Sequence, residues 1–109
     1  MINYALVGMK LLHPTQAAIL GQFTKAPDPA AAVFSPKQLS ALIGEPLGNV
    51  SYHMTMLTGI DARSKFKDAP MLELAWTEPR RGAVEHFYAL TDAAVVDADI
   101  DAAEGEGRR

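Results

Sequence analysis

The sequence predicts a mainly α domain with a small β-hairpin, and three observations carry that expectation. Residues 35 to 57 hold two short apolar-periodic stretches separated by Gly44-Glu45-Pro46. Residues 71–78 and 83–90 carry strand-like patterns on either side of Pro79-Arg80-Arg81-Gly82. That turn is tipped by two adjacent arginines. Two short helices, a glycine-bearing turn and a basic hairpin make a winged helix-turn-helix.

Each element has its own reason. Residues 3–12 carry Tyr4, Leu6, Val7, Leu11 and Leu12, apolar enough to predict a packed helix. Pro14 opens a helix through about Thr24, with Ala17, Ile19, Leu20 and Phe23 as its buried stripe. Pro27 and Pro29 make residues 25–30 a linker, and residues 30–33 are expected to add a helical turn before Phe34 enters the core. Ser35-Pro36 is a helix start, a capping hydroxyl followed by a proline suited to the first turn. Leu39, Leu42 and Ile43 form one stripe, which Gly44 and Pro46 end. In the next helix Asn49 is the expected N-cap, Val50, Met54 and Leu57 share one face, and Ser51, Tyr52, Thr55 and Thr58 share the other. Leu72, Leu74 and Trp76 alternate with Glu73, Ala75 and Thr77, which is strand periodicity. Thr91-Asp92 is expected to cap a last helix bearing Ala94, Val95, Ala98 and Ile100.

GNVSYHMTMLT followed by LELAWTEPRRGAVEHFYALT resembles the ArsR-type winged-helix transcription regulators, whose recognition helix often reads V-S-x-H-L-x-x-L. Met54 replaces the leucine after His53, and Leu57 keeps the next apolar position. LLHPTQAAIL resembles the His-Pro that opens a helix ahead of the reading head in that family. The resemblance covers residues 4 to 92. It implies a sequence-specific DNA-binding regulator, a repressor, acting as a homodimer joined through terminal helices. The expected organisation is a DNA-binding domain over residues 1–96 and an acidic tail over residues 97–109. Relative to the family's short helix-to-strand turn, residues 59–70 are an insertion.

Composition bounds the reading. The chain has 109 residues, enough for one domain, with 49% hydrophobic and 21% charged residues. No apolar run reaches the roughly 18 residues of a membrane span, and the start lacks a signal peptide's pattern, so the expected location is the cytoplasm. Without cysteine there are no disulfides or thiolate ligands, which removes metal sensing through cysteines. No metal or cofactor is expected, since His13, His53 and His86 show no ligand spacing. The net charge is −3, but residues 91–109 hold six acidic against two basic residues and leave the rest at +1. Attraction to phosphate must then come from local clusters.

The expected partner is double-stranded DNA. Ser51, Tyr52 and Thr55 are the positions expected in the major groove, with Asn49 as cap, phosphate contact or both. The competing reading of these residues is a solvated polar helix face. The helix lacks an arginine, the commonest reader of guanine, so discrimination would lean on DNA shape. Arg80 and Arg81 are the expected wing contacts to backbone or minor groove, against the reading of a charged, soluble hairpin end. Lys37 is a secondary phosphate candidate, although a cation in a first helical turn opposes the helix dipole. Arg63, Lys65 and Lys67 around Phe66 read first as a solvated loop with one anchoring aromatic, and alternatively as extra phosphate contacts. His53 and His86 read as buried, hydrogen-bonded histidines rather than pH sensors. Glu85 and His86, adjacent in a strand, should point to opposite faces.

No enzymatic constellation is expected. Ser51 and His53 lie about 200° apart around one helix, and no glycine-rich loop matches a phosphate cradle. The rival function is a winged helix that binds a protein and not DNA, favoured by the near-neutral head and acidic tail. A third reading keeps DNA binding but makes it architectural.

Overall fold

A computed structural model describes residues 6–7 and 10–95. The elements are β1 (Leu6–Val7), β2 (Lys10–Leu11), α1 (Pro14–Lys25), β3 (Val33–Phe34), α2 (Pro36–Ile43), α3 (Leu47–Leu57), β4 (Leu72–Arg80) and β5 (Ala83–Leu90), with a helical turn at residues 92–95. The three helices pack together beside a three-stranded antiparallel sheet of order β3-β5-β4. This is a mixed α/β architecture, richer in strand than the expected α domain with a hairpin, and it is compatible with a winged helix.

The helix starts follow the local chemistry. His13 caps α1: its Nδ1 accepts from Thr15 N at 3.1 Å, while its own N–H donates to Gln16 Oε1 at 3.2 Å. Ser35 caps α2 in the same reciprocal way with Gln38, at 3.2 and 2.9 Å. Gly44 closes α2 in the left-handed conformation at φ 70°, which glycine adopts without strain. Ala26, ahead of Pro27, is extended and ends α1.

Several expectations about local structure are corrected. Residues 6–7 and 10–11 pair as antiparallel strands, Leu6 with Leu11 and Val7 with Lys10, where a helix was expected. Gly8 costs a helix there about 1 kcal/mol relative to alanine, and the stretch is too short to absorb it. Asn49 does not cap α3. Leu47 is the first residue of the helix, Pro46 holds the cap position, and Val50 N donates to Pro46 O at 3.1 Å. Ser40 Oγ donates to Glu45 O at 2.6 Å, which tightens the turn so that α3 starts at once. Val33–Phe34 is a strand paired with β5 through Ala89 and Tyr88, not a turn of helix. Two residues are too few to show a period, and their partner lies more than fifty residues away.

The core gathers one face from every helix. Ile19, Leu20, Phe23, Leu39, Val50, Met54, Leu57 and Leu72 are fully buried. Phe34 is half-buried and meets Phe23 edge-on at 4.9 Å. Leu42 departs from its predicted stripe, being 56% exposed. It lies about 60° to one side of Leu39, and α2 turns its other side, with Ile43, inward. Ala17 is half-buried rather than buried, and Thr58, expected on the outer face of α3, is buried at its C-cap.

The sheet carries the expected hairpin, but Pro79 and Arg80, expected in its turn, are the last residues of β4. Arg81-Gly82 forms its two-residue turn, with Arg80 paired to Ala83 and Gly82 at φ 71°. A bulge lies between Leu74 and Trp76 and interrupts the alternation read from the sequence. Leu72 is buried, whereas Leu74 and Trp76 are about half exposed, at 49% and 48%. Trp76 stacks on Phe87 at 5.4 Å. Thr91 opens the last helical turn, its Oγ1 accepting from Ala94 N at 3.3 Å, and Ala94 is buried. Ala98, Ile100 and the acidic tail lie outside the described residues. No helix among the described residues is long and apolar enough to cross a membrane.

Candidate nucleic-acid interface

A groove of about 780 Å³ runs between the start of α2, the outer face of α3 and the hairpin. Three separate segments supply its polar groups: Lys37 from α2, Ser51 and Thr55 from α3, and Arg80 and Arg81 from the hairpin tip. Five of the seven principal residues singled out in the sequence thus meet on one surface. Asn49 and Tyr52 do not line it. They border a neighbouring groove on the other side of α3, together with His13, Gln16, His53, Arg63 and Lys65. Lys67 is exposed and lines neither groove.

The folding reasons are local. The capping box of Ser35 sets the start of α2 and places exposed Lys37 in its first turn. Burial of Val50, Met54 and Leu57 turns Ser51 and Thr55 outward. The Thr55 hydroxyl donates to Ser51 O at 2.9 Å, so at rest it offers lone pairs rather than its proton. The tight turn at Gly82 presents Arg81 at the tip, and among the described residues Arg81 is in no ion pair.

Arg80 is held differently. Its Nε donates to Glu85 Oε1 and its Nη2 to Glu78 Oε1, both at 2.8 Å. Those two carboxylates raise its already high pKa. Trp76 Nε1 donates to the other Glu78 oxygen at 3.1 Å, giving a chain from Trp76 through Glu78 and Arg80 to Glu85. A hydrogen bond with Ser35, and then the Arg80 guanidinium, hold the Glu85 carboxyl below its ordinary range. Lys37, Arg80 and Arg81 line the groove with Glu85, and Glu78, which does not line it, pairs with Arg80, so the three cations and two carboxylates of this cluster sum to +1.

Sequence reasoning missed Val84, His86 and Tyr88, which also line the groove. Their signal was available as an alternating i, i+2, i+4 set in β5. His86 is exposed and stacks on Tyr88 at 6.5 Å, contrary to the buried histidine expected, because its face of β5 looks into the groove while neighbouring Phe87 is buried. Burial pushes the Tyr88 phenol up.

His53 does form a packed, hydrogen-bonded site. Its ring stacks on His13 at 4.3 Å, and its Nδ1 lies 3.2 Å from Gln16 Nε2. Because Gln16 Oε1 accepts from His13 N, the amide turns its N–H toward His53 and fixes that imidazole as an acceptor at Nδ1. Burial, and then the neighbouring His13, lower the His53 pKa, with Glu45 opposing. Among the described residues no group of three or more His, Asp or Glu is placed to hold a metal.

Comparison with known proteins adds no assignment: no protein-family model matches the chain, and no match is found among curated proteins.

Proposed function

We propose that this chain is a winged-helix regulator of transcription that binds double-stranded DNA, acting as a repressor and as a homodimer. Helix α3 enters the major groove with Ser51, Tyr52 and Thr55, and the wing at residues 78–83 lies against backbone or minor groove through Arg80 and Arg81. The observation that supports this reading best is the single groove shared by Lys37, Ser51, Thr55, Arg80 and Arg81, drawn from two successive helices and the hairpin tip more than twenty residues further on. A helix face, a helix start and a hairpin tip that converge on one open surface suit a duplex better than a small ligand. Two-fold symmetry then calls for half-sites about 10 bp apart or a multiple of that.

Fluorescence anisotropy with random duplex DNA tests the reading. Micromolar binding is expected, with a salt slope (log affinity against log salt) that flattens by about one to two in Arg80→Ala/Arg81→Ala. No binding at low salt would defeat it. Sedimentation as a monomer at micromolar concentration would remove the homodimer and its spaced half-sites. A second reading, a protein-binding winged helix, has one observation in its favour: Leu74 and Trp76 stand half exposed on the edge strand β4. Absence of duplex binding even at low salt would move that reading to first place.

A further inference from the structure

The segment between α3 and β4 is built against the helix in a way that gives it a role of its own. Gly59 turns the chain at φ 73°, and a Cβ there would run into the Phe66 carbonyl oxygen, so only glycine lets the loop lie this close. Phe66 is buried in the core at 2% exposure. Buried Ser64 donates through Oγ to Met56 O and accepts from Phe66 N at 2.9 Å, which ties the loop to the last turn of α3. Met71 N closes the segment onto Leu57 O at 2.9 Å. Residues on either side of Ser64 therefore have fixed places relative to α3. They are Arg63 and Lys65, both exposed, and both line the groove whose other wall holds Asn49 and Tyr52.

The ridge of α3 thus separates two cation-bearing grooves. One holds Lys37, Arg80 and Arg81, and the other Arg63 and Lys65. A helix with its side chains is about 10–12 Å across, and the major groove of DNA is about 12 Å wide. A helix seated there has one phosphate strand on each flank. We infer that Arg63 and Lys65 contact the phosphate strand on the flank away from the wing, so that α3 is held from both sides; this rests on the DNA-binding reading above.

Asp61 must be accounted for. It grips Arg63 through two side-chain hydrogen bonds, Nε to Oδ1 at 3.0 Å and Nη2 to Oδ2 at 2.7 Å. Those bonds hold the Asp61 pKa down at about 2, so it is ionised at any working pH. The pair is neutral as a unit. A guanidinium has five N–H groups, and two are used here, so three remain for a phosphate oxygen. Arg63 then contributes oriented donors, and Lys65 places a second cationic side chain on the same wall.

The test is anisotropy titration of a random duplex across a range of salt, with the full chain, Arg63→Ala/Lys65→Ala, Lys65→Arg and Arg81→Ala. Thermal melts confirm that each variant is folded. The double variant is expected to lose roughly tenfold in affinity at low salt and to flatten the salt slope by about one to two, while Lys65→Arg keeps the slope. An unchanged slope in the double variant, with a slope that still flattens in Arg81→Ala, would overturn this inference and leave the DNA-binding reading standing. If the full chain binds no duplex even at low salt, the DNA-binding reading falls and takes this inference with it. If Lys65→Arg flattens the slope as much as the double variant does, the loop acts by its shape, and the phosphate contact is refuted.

Discussion

Replacing Glu78 and Glu85 together with glutamine should tighten binding to random duplex. In the free protein these carboxylates occupy Arg80 at 2.8 Å each, Glu85 from within the groove and Glu78 from beside it, and they cut the summed charge of Lys37, Arg80 and Arg81 from +3 to +1. A phosphate approaching the groove meets two like charges and a guanidinium already engaged. Amides of the same shape keep hydrogen-bond acceptors for Arg80 but remove the repulsion. Two additional effective cations steepen the salt slope by up to about 1.8, which widens the affinity ratio between about 50 and about 200 mM salt by about twelvefold. The assay is anisotropy against one random duplex at both salt concentrations, with melting temperature as a control, since exposed ion pairs of this kind contribute little to stability. Weaker binding or an unchanged slope would refute the reasoning. It would show that the carboxylates serve to aim Arg80 rather than to oppose phosphate.

Three further outcomes are expected. Stability should fall as pH drops below the ordinary histidine value of 6.5, because the folded-state pKa of His53 lies lower and the unfolded chain binds the extra proton. Melting temperatures followed from pH 7.5 toward 5 should show a drop that shrinks in His53→Asn, and equal profiles would dismiss His53 as the source. Gly59→Ala should cost about 2 kcal/mol or more, from a left-handed φ and the collision with Phe66 O, whereas Gly82→Asn, with open space around it, should cost under about 1 kcal/mol by urea denaturation. Leu39→Ala should cost about 2–5 kcal/mol and Leu42→Ala under about 0.5 kcal/mol, although both sit on one apolar stripe in the sequence; comparable costs would mean that α2 packs in another rotation.

Much of this protein was legible because the governing interactions reach only a few residues. Ser35 with Gln38 caps a helix three residues away, Gly44 ends that helix, and Gly82 closes a two-residue turn. The face of α3 follows from the 3.6-residue period that puts Val50, Met54 and Leu57 on one side and Ser51, Tyr52 and Thr55 on the other. Other features depend on partners that sequence spacing does not reveal. Val33 and Phe34 become a strand because β5 lies beside them, and Leu42 is exposed because of the side α2 turns to its neighbours. The bulge at Ala75 breaks an alternation that was real in the sequence, because strand register is decided across the ladder and not along it.

The same division runs through the candidate site. Residue types, the helical period and the winged-helix pattern with its basic hairpin turn named Lys37, Ser51, Thr55, Arg80 and Arg81. Only the tertiary structure places those five on one groove, sends Asn49 and Tyr52 to the groove on the other side, and sets Arg63 and Lys65 beside them. It also decides that Arg80 is held by Glu78 and Glu85 while Arg81 stands at the tip, since the pairing of strands brings Glu85 across from Glu78. Local chemistry determines which groups exist and which way each faces on its own element. Packing between elements determines which charges meet, because Coulomb interactions depend on distances that only the folded chain sets.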